Sequence, residues 1–133
     1  MRSQATYAAM LRFIHAVAQE GAAELREFGL TPAQYQLLVQ VGRRPGVAQW
    51  QLVEAFGVTK GNVSQLVKRL EQAGLVERAR VKASDELSLT DSGRALLERV
   101  MPAHDEFMDR QFAALDRGEL DTLMRLIMRL ARP

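Results

Sequence analysis

The apolar residues near the N-terminus set the strongest constraint on this chain. Tyr7, Met10, Leu11, Ile14, Val17, Ala18, Leu25 and Phe28 recur at helical spacing between Ser3 and Phe28. One face of a helix of about seven turns is therefore apolar along its length. The chain has 133 residues, the size of one modest core. Such a core cannot cover so long a stripe, so the helix is expected to pack on a partner chain as well. The other end repeats the pattern. Leu96, Leu97, Val100, Met101, Phe107, Met108, Phe112 and Leu115 form one stripe, expected to continue across Pro102 with a kink. Leu120, Leu123, Leu126, Ile127 and Leu130 form another, opened by the capping sequence Asp116-Arg117-Gly118-Glu119.

Composition narrows the class. No apolar run approaches the ~20 residues that span a bilayer, so no membrane partner is expected. The first six residues do not read as a secretion signal, and the cytoplasm is the expected location. The chain has no cysteine, which excludes a disulfide scaffold, a thiolate metal site and thiol redox sensing. The net charge is only +2, but its distribution is uneven. Residues 1–41 are neutral and residues 83–133 carry −3. Residues 42–82 carry +5, from Arg43, Arg44, Lys60, Lys68, Arg69, Arg78, Arg80 and Lys82 against three glutamates. A basic middle between neutral and acidic ends suits a nucleic-acid-binding unit held on a separate scaffold, although a solvated charged face would look similar.

Local signals divide this middle region. Thr31-Pro32-Ala33-Gln34 opens a helix with Tyr35, Leu37, Leu38 and Val41 facing inward, which stops at Gly42-Arg43-Arg44-Pro45-Gly46. A short helix over about Ala48–Phe56 points Trp50 or Leu52, Val53 and Phe56 inward, with Gly57 as its C′ residue. Thr59 caps a helix that runs to about Gln72, with Val63, Leu66, Val67 and Leu70 as its buried stripe. Leu75–Val81 and Glu86–Thr90 alternate as two strands of a hairpin, with Lys82-Ala83-Ser84-Asp85 as the turn. Thr90 caps the helix that follows.

Two short helices joined by Gly57-Val58-Thr59 match a helix-turn-helix, whose second helix enters the major groove. Opposite its buried stripe this helix presents Gly61, Gln65, Lys68 and Gln72, flanked by Asn62, Ser64 and Arg69. These side chains can hydrogen-bond base edges or phosphates, and no carboxylate lies among them. Gly61 would allow close approach of the phosphate backbone, and Thr59 and Lys60 lie at the helix N-terminus, which itself attracts anions. Any surface helix shows Gln, Ser and Lys outward; the following strand adds the stronger signal. Arg78, Arg80 and Lys82 fall at period two on one face, the layout of a cationic wing beside a recognition helix.

The ordered set Leu30-Thr31-Pro32, Val58-Thr59-Lys60-Gly61-Asn62-Val63-Ser64, Val67-Lys68-Arg69-Leu70-Glu71, Gly74-Leu75-Val76-Glu77-Arg78 and Leu89-Thr90-Asp91-Ser92-Gly93 resembles the multiple-antibiotic-resistance regulator (MarR) family over essentially the whole chain. The resemblance implies a homodimeric winged-helix transcription regulator, with dimerisation through the first and last two helices and a small amphipathic ligand that weakens DNA binding. The family's wing is longer and carries an Arg after its Asp. Here no Arg follows Asp85, which leaves any wing contact to Arg80 or Lys82.

The expected fold is thus mainly α, an α+β winged helix. A helix-turn-helix and a two-stranded wing (residues 30–90) are flanked by dimerisation helices (1–29 and 91–133). The expected partners are a pseudo-palindromic duplex, a second copy of the chain and a small-molecule effector. The DNA-contacting candidates are Thr59, Lys60, Gly61, Asn62, Ser64, Gln65, Lys68, Arg69, Arg78, Arg80 and Lys82. No catalytic set, metal site or cofactor is expected: His15 and His104 lack ligand spacing, and His104 reads as a surface or interface residue. Tyr35 and Trp50 are expected in the core, with an effector pocket as the alternative. A winged helix turned protein-interaction module is the rival reading.

Overall fold

The computed structural model describes residues 1–56 and 60–131. The elements run α1 (Arg2–Arg26), α2 (Pro32–Arg43), β1 (Val47–Ala48), α3 (Gln49–Phe56), α4 (Lys60–Gln72), β2 (Val76–Val81), β3 (Ser84–Leu89), α5 (Asp91–Gln111) and α6 (Arg117–Leu130). Gly57 and Thr59, expected to end α3 and begin α4, lie outside the described residues, as do the side chains of Phe56 and Lys60.

Three helix starts follow from local chemistry. Thr31 Oγ1 accepts the Gln34 N–H at 3.1 Å while Gln34 Oε1 accepts the Thr31 N–H at 3.0 Å, closing a capping box at α2. Asp116 and Glu119 close a second box at α6. Thr90 Oγ1 accepts the Gly93 N–H at α5 and donates to the carbonyl of Gly74 at 2.6 Å. The end of α4 is fixed in the same neighbourhood. Gly74 adopts φ +76°, and the Gly74 and Leu75 N–H groups return to the carbonyls of Glu71 and Leu70, a Schellman closure. Helix α5 continues through Pro102 to Gln111.

The wing departs from expectation in two ways. The sheet has three strands in the order β1-β3-β2, because Val47 and Ala48 pair antiparallel with Leu87 and Glu86. Two residues show no alternation in sequence; the third strand exists because α2 delivers them to the free edge of β3. The turn is also tighter. Val81 pairs with Ser84, so only Lys82 and Ala83 lie between the strands, and Lys82 takes φ 56°. That is the left-handed region, which costs a lysine about 1 kcal/mol.

One core joins the middle of the chain. Leu37, Leu38 and Val41 of α2 meet Leu52 of α3, Val63, Val67 and Leu70 of α4, Leu87 of β3 and Val100 of α5, all essentially without exposed surface. Each such side chain contributes about 1.5–3 kcal/mol by leaving water. Trp50 does not join them and is 55% exposed, against expectation, whereas Leu52 is 1% exposed. Positions two residues apart on a helix differ by about 200°, so seating Leu52 inward turns Trp50 outward. Tyr35 is buried as expected.

The ends differ from the middle. Tyr7, Leu11 and Ile14 of α1 are exposed, and so are Met124, Leu126, Ile127 and Leu130 of α6. Helix α6 buries none of its residues. No helix among the described residues is long and apolar enough to cross a membrane.

Candidate nucleic-acid interface

Helix α4 turns Val63, Val67 and Leu70 into the core, with Leu66 partly buried beside them. Gly61, Asn62, Gln65, Lys68 and Arg69 therefore lie on its exposed side, with Ser64 half-buried at the margin. A Cβ added to Gly61 would meet nothing within 4 Å, so its bare backbone faces open space. The sequence-derived residues of α4 thus share one surface, apart from Thr59, which lies outside the described residues, and Lys60, whose side chain does.

The wing residues divide by their partners. Arg78 donates from Nη2 to Glu71 Oε1 and from Nη1 to Asp85 Oδ2, each at 3.1 Å, and its side chain is 27% exposed. Arg80 is 66% exposed and touches Asp85 through one bond of 3.3 Å. Lys82 stands exposed on the turn. The period-two set is therefore not uniform: Arg78 ties the last turn of α4 to β3, while Arg80 and Lys82 project. The bond from Arg78 to Glu71 escapes a strand-face reading because it runs between elements.

Burial pushes the Asp85 carboxyl up, but hydrogen bonds from Arg80 and Arg78, with their charges, outweigh it and hold the group below the usual carboxylate range. Asp85 thus remains an anion and keeps both arginines oriented. A groove of about 470 Å³ opens beside this network, between Trp50 and Val53 of α3 and Arg80 and Ala83 of the wing.

A second locus lies where α1, α2 and α5 meet. His104 Nδ1 is 2.8 Å from Glu24 Oε2, and the imidazole packs edge-on against Tyr35 at 4.8 Å and stacks on Phe107 at 5.7 Å. Burial raises the Tyr35 phenol above its usual value, the carboxylates of Asp105 and Glu24 raise it further, and Arg43 opposes them. A cavity of about 230 Å³ there is lined by Val17, Gly21, Pro32, Tyr35, His104 and Met108. Glu24 and His104 are eighty residues apart, and no spacing rule links them.

Comparison with known proteins gives this arrangement its context. The profile of the MarR family matches residues 28–84. An HTH-type transcriptional regulator of Bacillus cereus is 33% identical over 103 residues, which span 77% of this chain and 70% of that protein. The MarR family transcriptional regulator AbsC from Streptomyces coelicolor superposes with a TM-score of 0.88 at 24% identity, over 96% of this chain and 90% of its own, a likeness of fold. A MarR family protein of Mycobacterium tuberculosis, solved in complex with DNA, superposes with a TM-score of 0.77 at 26% identity, over 93% of this chain and 95% of its own. The chain belongs to the MarR family of transcriptional regulators and has its winged-helix fold.

Proposed function

We propose that this MarR-family chain is a cytoplasmic, non-catalytic homodimer that represses transcription by binding a pseudo-palindromic duplex, and that a small molecule weakens its hold. The observation that carries the reading is the outer face of α4. It is exposed, offers hydrogen-bonding and cationic groups, and stands beside a wing from which Arg80 and Lys82 project.

In this reading residues 30–90 contact DNA. Asn62, Ser64 and Gln65 reach base edges, Lys68 and Arg69 reach bases or phosphates, and Gly61 admits the backbone closely. Thr59 and Lys60 add contacts at the N-terminus of α4, where the helix dipole favours phosphate. Arg80 and Lys82 take the wing contact. Arg78, held by Glu71 and Asp85, positions the wing against α4 instead of touching DNA. Residues 1–29 and 91–133 form the dimer arms, a role supported by the exposed apolar residues of α1 and α6. The cavity at Tyr35 and His104 lies between the arms and the reading unit, where a ligand can alter the spacing of the two recognition helices.

The test is selection from random duplexes, followed by anisotropy titration at several salt concentrations. A palindromic site with half-sites about one turn apart is expected, with binding that weakens steeply as salt rises. Absence of salt-dependent duplex binding would instead favour the interaction-module reading.

A further inference from the structure

The groove between α3 and the wing has chemistry that DNA contact does not use. We propose that it binds a small organic cation, an aromatic or amphipathic ammonium, and that this cation competes with duplex DNA for the same side of the molecule.

Five features of the groove point to that ligand. Trp50 lies along it and is 55% exposed as a residue, an aromatic side chain available to a cation. Glu54 follows Trp50 by four residues on the same helix side, lines the same groove and forms no ion pair among the described residues. Gln49 also lines it, and its buried Oε1 lacks a hydrogen-bond partner. A turn of that amide toward an N–H in the groove would relieve the cost of the orphaned acceptor. Val53 and Ala83 add apolar wall. The volume of about 470 Å³ lies within the range of small-molecule sites.

Among the described residues Arg80 is the one cation that lines the groove, and its single 3.3 Å bond goes to Asp85, whose second oxygen takes Arg78. Among the described residues that line the groove, Glu54 is then the carboxylate without an ion pair, which favours an ammonium and opposes a carboxylate. Arg80 is shared between this groove and the proposed wing contact, so a ligand seated against it obstructs a duplex. That second half of the proposal rests on the DNA-binding reading; cation binding itself does not.

Trp50 is the only tryptophan, so its emission reports the site without a label. The 133-residue chain is titrated, without DNA, with benzylammonium, benzyl alcohol and benzoate. A saturable change is expected for the ammonium, with the alcohol and benzoate at least about fivefold weaker. Glu54→Gln should weaken ammonium binding about three- to fivefold, whereas Glu27→Gln on α1 should leave it unchanged. No saturable response to the ammonium, or benzoate binding as tightly, overturns the site. In a second arm the ammonium should release a selected duplex from the parent protein at lower concentration than from Glu54→Gln. Equal release from both proteins, or no release while Trp50 responds, overturns the competition. Failure to bind any duplex counts against the DNA-binding reading alone, since the first arm stands without it.

Discussion

Helices α4 and α6 are both amphipathic, are thirteen and fourteen residues long, and end up in opposite situations. The apolar stripe of α4 closes into a core shared with α2, α3, β3 and α5, and its polar side faces water. The apolar stripe of α6 closes on nothing comparable: Leu126, Ile127 and Leu130 are 42–71% exposed. The same periodicity thus specifies a helix in both places but not what covers it. In α4 the cover is supplied by the chain itself; in α6, on the proposed reading, by a second copy.

Substitution should separate the two cases most sharply. Leu70→Ala, in the closed stripe of α4, should cost about 2–5 kcal/mol in denaturant unfolding, because it leaves a cavity in a packed core. Ile127→Asp, in the open stripe of α6, should instead lower the assembly mass in light scattering and make the melting temperature more dependent on concentration. A variant of Ile127 that lost stability at every concentration, with no change in mass, would show that α6 is covered within its own chain.

The outer face of α4 gives the next largest effect. Gln65→Ala should cost about 1–3 kcal/mol on the preferred duplex and relax base preference at one position, by comparison with a scrambled duplex. Arg80→Ala should weaken all duplexes alike and lower the salt slope by about one unit. If both variants bind as the parent does, the exposed side of α4 is an ordinary solvated surface, and the contrast with α6 carries no functional meaning.

Acid should loosen the wing before the core. The folded-state pKa of Asp85 lies below its usual 3.8, so its contribution is present above about pH 4 and is lost as pH falls through the folded value. Trp50 emission, which reports the groove bordered by Asp85, should shift in that range and lose the shift in Asp85→Asn. The smallest effect is expected at Lys82. Its φ of 56° suits glycine, so Lys82→Gly should stabilise the turn by up to about 1 kcal/mol in thermal unfolding.

Much of the architecture is legible because its causes are local. Thr31 with Gln34, Thr90 with Gly93, and Asp116 with Glu119 each fix a helix start within four residues. The end of α4 follows from one stripe and one glycine, while its expected cap Thr59 lies outside the described residues. Features that depend on distant partners are not legible. Strand β1 needs the free edge of β3, and the Glu24–His104 contact needs α1 and α5 to be packed first. Trp50 and Leu52 both suit an interior, and only the seating of α3 on its neighbours decides between them. The wing shows the same limit: period two places Arg78 and Arg80 together, but Glu71 in another element decides that Arg78 is held and Arg80 projects.

The junction of Gly74, Leu75, Thr90 and Gly93 has a mechanical consequence. The Thr90 N–H bonds the carbonyl of Leu75, its hydroxyl bonds that of Gly74, and a Cβ on Gly93 would collide with the Leu75 carbonyl. The first turn of α5 is thus riveted to the end of α4, with no room for a methyl group between them. Helix α5 extends about 30 Å from this joint. The joint itself has almost no slack: tilting the first turn of α5 must carry the end of α4 with it, whereas bending farther along the helix has Pro102 as its natural site. On the proposed reading, in which α5 belongs to a dimer arm, a movement of that arm which reaches the joint changes the angle at which the outer face of α4 is presented.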